Sequence, residues 1–178
     1  MPDVLELVGV LPTPQWGAWE PLALSLLTAG AAALIVAAVA AWQGRGLARP
    51  FVLAALAAGV SGQAALFVSL EQPLRAYEFF LHPSFTSWTA AGAYIVPAFL
   101  ACALLLAWRT RAPGSAGRLP ALVALAAGVA VFVYAANEIM ACLGRALWTG
   151  PLVPPIFLVA GLSGAVGLAA CLAGSSRL

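Results

Sequence analysis

Ser69–Tyr94 reads SLEQPLRAYEFFLHPSFTSWTAAGAY, and it gathers what the rest of the chain avoids. Two of the six acidic residues, Glu71 and Glu78, fall in it, together with the one histidine, His82, two of the three tyrosines, Tyr77 and Tyr94, and Arg75. Long apolar runs flank it on both sides. A polar stretch so placed belongs at a membrane surface, as a loop with a helix entering at its end, because backbone inside the hydrocarbon layer must satisfy its own hydrogen bonds. Pro73 and Pro83 each fix a φ angle, and Phe79, Phe80 and Phe85 seek burial, so the loop is shaped rather than slack. A functional site is expected beneath it.

Outside this loop the composition excludes a soluble domain: 63% of residues are hydrophobic and 8% charged, and the mean hydropathy is +1.02. The 178 residues hold about five spans of ~20 residues with short connections. The expected fold is one all-α membrane domain over residues 1–178, with transmembrane helices at about 21–42, 50–70, 87–108, 119–143 and 154–174. Met1–Glu20 carries Asp3, Glu6 and Glu20 but no Lys or Arg, so it reads as an interfacial arm and not as a cleaved signal. Every cation is an arginine, and the arginines fall at helix ends, which argues against a nucleic-acid surface. Cys102, Cys142 and Cys171 lie on three separate spans and read as small buried residues, not as metal or cluster ligands. With His82 alone and in a loop, no bis-histidine haem can be built from this chain.

Orientation follows from the arginines. Arg45 and Arg49 join the first two spans, and Arg109, Arg111 and Arg118 join the third and fourth. The positive-inside rule makes these connections cytoplasmic, which puts the N-terminus and the 69–87 loop outside and the C-terminus inside. Trp16, Trp19, Trp42, Trp88, Trp108 and Trp148 all fall at expected span ends, as an aromatic belt requires.

Polar residues inside the spans are few. Gln63 in the second span serves either as a hydrogen bond between helices or as part of a site. The fourth span holds Tyr134, Asn137 and Glu138 in VYAANEIMACLG, with Tyr134 and Glu138 one turn apart on one face. An intramembrane carboxyl is costly, so Glu138 either pairs with Arg145 to order the interface or exchanges protons beside a small-molecule pocket. A phenol, an amide and a carboxyl near the outer surface, with Trp16, Trp19, Tyr77, Phe79 and Trp88 on the same side, suit a quinone: its carbonyls need donors, its ring stacks, and its oxidation state changes with protons.

EQPLRAYEFFLHPSFTSWTAAGAY resembles the NrfD/PsrC family of polysulfide-reductase-type membrane subunits and, less closely, the DMSO reductase anchor subunits. The residues that carry the resemblance are Leu70, Pro73, Arg75, Tyr77, Ser87 and Trp88, joined near the C-terminus by Trp148, Pro151, Pro154, Phe157, Ser163 and Gly164. The chain departs from the pattern in two places. Leu70-Glu71-Gln72 stands where the family has an acidic residue followed by Leu-Gly, and five spans stand where members commonly have eight or more.

The resemblance implies a quinone-binding anchor of a respiratory oxidoreductase in the bacterial inner membrane, non-catalytic alone. Menaquinone or ubiquinone would be its cofactor, and an iron–sulfur subunit linked to a molybdopterin or multihaem catalytic subunit its partner. A second membrane subunit would complete the bundle. Under that reading Glu138 carries protons, and Tyr134, Asn137, Trp16, Trp19, Glu20, Gln63 and Trp88 surround the quinone. Arg75, Tyr77, Phe79, Phe80 and His82 would face the partner. The rival reading is a non-redox membrane scaffold or a small proton-coupled transporter subunit.

Overall fold

A computed structural model describes residues 17–70, 72–82, 84, 86–111, 117–141 and 149–175, with side chains described as far as Cys171. The chain is all-helical over these residues. Five long helices, α1 (Trp19–Trp42), α2 (Ala48–Ser69), α4 (Trp88–Arg109), α5 (Arg118–Met140) and α6 (Val153–Ser175), are each apolar and long enough to cross a bilayer. A 3₁₀ turn, Pro73–Arg75, and a single-turn helix, α3 (Glu78–Leu81), lie in the loop between α2 and α4.

The alanine-rich α1 forms the centre of the bundle, packed against α2, α5 and α6. Its sequence is apolar all round, which is the pattern of a helix enclosed by others. Its small side chains let neighbours come close. A Cβ on Gly30 would stand 3.1 Å from the Ala55 carbonyl oxygen and the Gly59 nitrogen, and one on Gly62 would stand 3.1 Å from the Ala23 carbonyl, so α1 and α2 touch almost backbone to backbone. The one fully buried polar side chain of the described core, Thr28, donates to the Leu24 carbonyl at 2.9 Å and costs the membrane interior no unsatisfied group.

Contacts between neighbours give their directions: Gly30 meets Ala55 and Gly59 while Gly62 meets Ala23 and Leu27, so α1 and α2 run antiparallel, and Gly92 at the start of α4 meets Tyr134 near the end of α5, so these two do as well. One end of the bundle therefore carries Arg45, Arg49, Arg109, Arg111 and Arg118, while Glu20, Arg75, Glu78 and Glu138 lie at the other. Trp19, Trp42, Trp88 and Trp108 fall at or beside helix ends; Trp16 and Trp148 lie outside the described residues.

Two readings of the sequence are corrected by the packing. Gly161, Gly164 and Gly167, spaced by three in the last span, read as one small-residue packing stripe; Gly161 and Gly164 do pack on α1, but a Cβ on Gly167 would meet nothing within 4 Å. Steps of three residues drift by about 60° on a 3.6-residue helix, so by the second step the stripe has turned away from α1. Cys171 is exposed on α6, and Cys102 is only partly covered, so neither is a buried filler; Cys142 lies outside the described residues.

Candidate functional site beneath the loop between α2 and α4

The loop folds back onto the bundle through few, specific contacts. Arg75 Nε and Nη2 donate to the two carboxylate oxygens of Glu78 at 2.8 and 3.0 Å, and Nη1 donates to Gln72 Oε1 at 2.9 Å. This fork geometry ties the 3₁₀ turn to α3 and raises the guanidinium pKa above its already high ordinary value through the Glu78 hydrogen bond and charge. Arg75 thus has its donors committed inside the loop, where the sequence had suggested a surface for a partner.

Tyr94 of α4 reaches up to α3. Its hydroxyl donates to the Phe80 carbonyl at 3.3 Å, and the two rings meet edge to face with centroids 5.5 Å apart. Phe80 is consequently drawn down against α4, although half of it stays exposed. The start of α4 is set by Ser87, whose hydroxyl accepts from the Ala90 N–H at 3.4 Å as an N-cap.

Beneath this roof α2, α4 and α5 leave a crevice of about 100 Å³. Phe79 and Phe80 of the loop, Leu66 and Phe67 of α2 and Ala93 and Pro97 of α4 give it apolar walls. Three side chains bring polar atoms to it: Gln63 from α2, Thr89 from α4 and Tyr134 from α5. Gln63 and Tyr134 each lie six residues from the end of their helix, roughly 9 Å below the surface at 1.5 Å per residue.

Tyr134 reaches the crevice because residue 92 is glycine. A Cβ there would come within 2.5 Å of the ring, so the phenol packs directly against α4 at residue 92 and is only 2% exposed. Among the described residues no hydrogen bond reaches the Tyr134 hydroxyl or the Gln63 amide. Gln63 therefore has no contact of the interhelical kind that would make it a structural fastening. Pro97 also offers no N–H to the carbonyl one turn before it, that of Ala93, and both residues line the crevice.

Glu138 joins this site through a neighbour. Thr89 Oγ1 donates to Glu138 Oε1 at 2.7 Å across the α4–α5 seam, and Thr89 itself lines the crevice. The hydroxyl keeps its own lone pairs, so it links whatever lies in the crevice to the carboxyl. Arg145, the alternative partner of Glu138 read from the sequence, lies outside the described residues.

The other expected site residues stand apart. Asn137 turns back along its own helix, donating from Nδ2 to the Val133 carbonyl at 2.7 Å, and does not line the crevice. Three residues along a helix carry it about 60° away from Tyr134, on the side opposite Glu138. Trp19 is 49% and Trp88 37% exposed, and neither lines the crevice; Trp16 lies outside the described residues. Glu20 has a buried carboxylate oxygen, Oε2, with no hydrogen-bond partner, at the first turn of α1. Tyr77 and His82 are exposed, and His82 lines a second, more polar groove with Gln72, Arg75 and Glu78.

The sequence reading missed Thr89, Gly92, Ala93 and Pro97, which all come from α4. Their spacing is the signal that could have found them, since positions 89, 92, 93 and 97 lie along one helical face.

Comparison with known proteins adds no assignment: no family model matches the chain, and no curated protein matches it in sequence.

Proposed function

We propose that this chain is the quinone-binding membrane anchor of a respiratory oxidoreductase, and that the crevice under the 69–87 loop holds the quinone head group. The observation that carries the proposal is the convergence of Gln63 and Tyr134, from different helices, on one apolar-walled crevice at membrane depth, with no hydrogen bond from the described protein to either. Polar groups placed there without a partner cost free energy, which a ligand with matching acceptors recovers.

The residues fit such a head group. The crevice, at about 100 Å³, lies below the ~300 Å³ of a pocket that encloses a whole drug-sized molecule. It suits a planar quinone head group, with any tail left to the lipid. Tyr134 would donate to one carbonyl oxygen and the Gln63 amide to another, while Phe79 and Phe80 cover the ring. A bound quinone supplies the reversible two-electron, two-proton chemistry that side chains lack. The chain's own part is to position and to move protons. Thr89 accepts a proton at Oγ1 as it passes its own to Glu138 Oε1, and the carboxyl then carries it toward the nearby surface.

In this reading the loop faces outside, with the N-terminus out and the C-terminus in, because the arginines gather at the opposite end of the bundle. The membrane is the bacterial inner membrane. Leu74, Tyr77 and Leu81 stay 88%, 56% and 65% exposed on the loop and offer an apolar face to an iron–sulfur subunit, which connects to a molybdopterin or multihaem catalytic subunit. Arg75 keeps that face in shape from within, and a second membrane subunit extends the bundle.

The test is to purify the native complex, identify its chains and extract its lipids. A stoichiometric menaquinone or ubiquinone, reduced several-fold in occupancy by Tyr134→Phe through the loss of one hydrogen bond of about 0.5–1.5 kcal/mol, is the expected result. A complex without quinone and without redox subunits would instead establish the scaffold or transporter reading.

A further inference from the structure

The arginine-rich end of the bundle carries a second crevice, between the last turns of α1 and the first turns of α5. Ala38, Val39 and Trp42 form one wall and Ala121, Leu122 and Leu125 the other, enclosing about 230 Å³ with almost no polar surface. At this end Trp42 meets Arg118, whose guanidinium carbon sits 5.7 Å from the centre of the Trp42 ring. Arg118 is exposed and makes no ion pair with a carboxylate among the described residues. The sequence places no Asp or Glu in either connection at this end, residues 43–50 and 108–118, whereas Arg45, Arg49, Arg109, Arg111 and Arg118 all lie there. Neither connection thus supplies a carboxylate to Arg118.

An apolar slot along the helices with an unbalanced cation and an indole at its mouth matches one ligand chemistry, an acyl chain joined to an anionic head group. We infer that this crevice binds an anionic phospholipid, with one acyl chain between α1 and α5 and the phosphate at Arg118. Trp42 does two jobs in this arrangement: its ring walls the slot, and its face holds the guanidinium over the mouth, where planar N–H donors meet phosphate oxygens. The site is independent of the quinone reading, since it lies at the other end of the bundle.

The test is native mass spectrometry of the full chain in detergent, titrated with phosphatidylglycerol and with phosphatidylcholine of identical acyl chains. One arginine near the head group predicts retention of phosphatidylglycerol at about fivefold lower concentration. Arg118→Gln should erase that preference and Arg118→Lys, which keeps the charge but loses the planar fork stacked on Trp42, should keep only part of it, whereas Arg111→Gln, after α4, should leave it unchanged. Leu122→Phe, at a half-exposed position on the slot wall, should weaken both lipids alike. Millimolar inorganic phosphate should leave the phosphatidylglycerol adduct in place. Displacement by phosphate would mean a plain anion site and overturn the lipid assignment. Equal retention of the two lipids, or an effect of Arg111→Gln as large as that of Arg118→Gln, would overturn it as well.

Discussion

Replacing Gly92 by alanine tests whether the site is held open by the contact between α4 and α5. A Cβ at residue 92 would stand 2.5 Å from Cζ of Tyr134, 2.6 Å from Cε2 and 2.7 Å from the hydroxyl oxygen. The closest of these is about 0.9 Å short of ordinary van der Waals contact. The ring cannot retreat cheaply, because Tyr134 is only 2% exposed, so overpacking should cost about 1–3 kcal/mol. Alanine in a helix gains up to ~1 kcal/mol over glycine, which would blur the single measurement. Gly167→Ala supplies the control, since its Cβ meets nothing within 4 Å. The difference between the two variants isolates the clash, and about 1–3 kcal/mol is expected from their unfolding in detergent. Adding Tyr134→Leu to Gly92→Ala should restore part of the loss, a coupling that independent sites would not show. Equal stability of the two alanine variants, together with an additive double mutant, would refute the packing argument and with it the placement of the phenol.

Three further outcomes are expected. Thr89→Val removes the 2.7 Å hydrogen bond to Glu138 and should lower quinol-dependent turnover per assembled complex about tenfold or more, with Glu138→Gln doing the same and the pair together doing little worse. Normal turnover in Thr89→Val beside a crippled Glu138→Gln would take the hydroxyl out of the proton path. Arg75→Ala and Glu78→Gln each break the loop's ion pair and should speed amide exchange across residues 72–82, Arg75→Ala the more because it also loses the hydrogen bond to Gln72; protection unchanged in either would show that the loop is held by other means. A cysteine at Ser84 should be labelled only from outside and one at Ser115 only from the cytoplasm, and the reverse pattern would invert the proposed orientation.

The fold was legible because membrane insertion imposes simple rules on sequence. Apolar length marked the helices, and prolines and arginines marked their ends, so that α1 and α4 begin and end within two residues of where composition put them. The position of α1 at the centre was not legible in the same way. A helix apolar on every side gives no periodicity to say which face meets protein and which meets lipid. Only its run of alanines and Gly30, which permit contact at 3.1 Å with the α2 backbone, mark it as the helix that others surround.

At the site, local geometry was legible and long-range convergence was not. Tyr134 and Glu138 share a face because they are one turn apart, a fact of helix pitch alone. That Gln63, some seventy residues earlier in the chain, opens onto the same space depends on how α2, α4 and α5 are set, and that is decided at two glycines. Gly59 lets Phe99 and Leu100 of α4 approach α2, and Gly92 lets the Tyr134 ring cross α4. These two contacts draw α2 and α5 toward α4, and the crevice is the space left where the three helices meet the loop. Asn137 shows the converse. Its position among polar neighbours suggested a ligand, but an amide on a face without a partner bonds to its own backbone, here the Val133 carbonyl. Residue type therefore picked out candidate polar side chains, and the glycines between helices decided which of them meet.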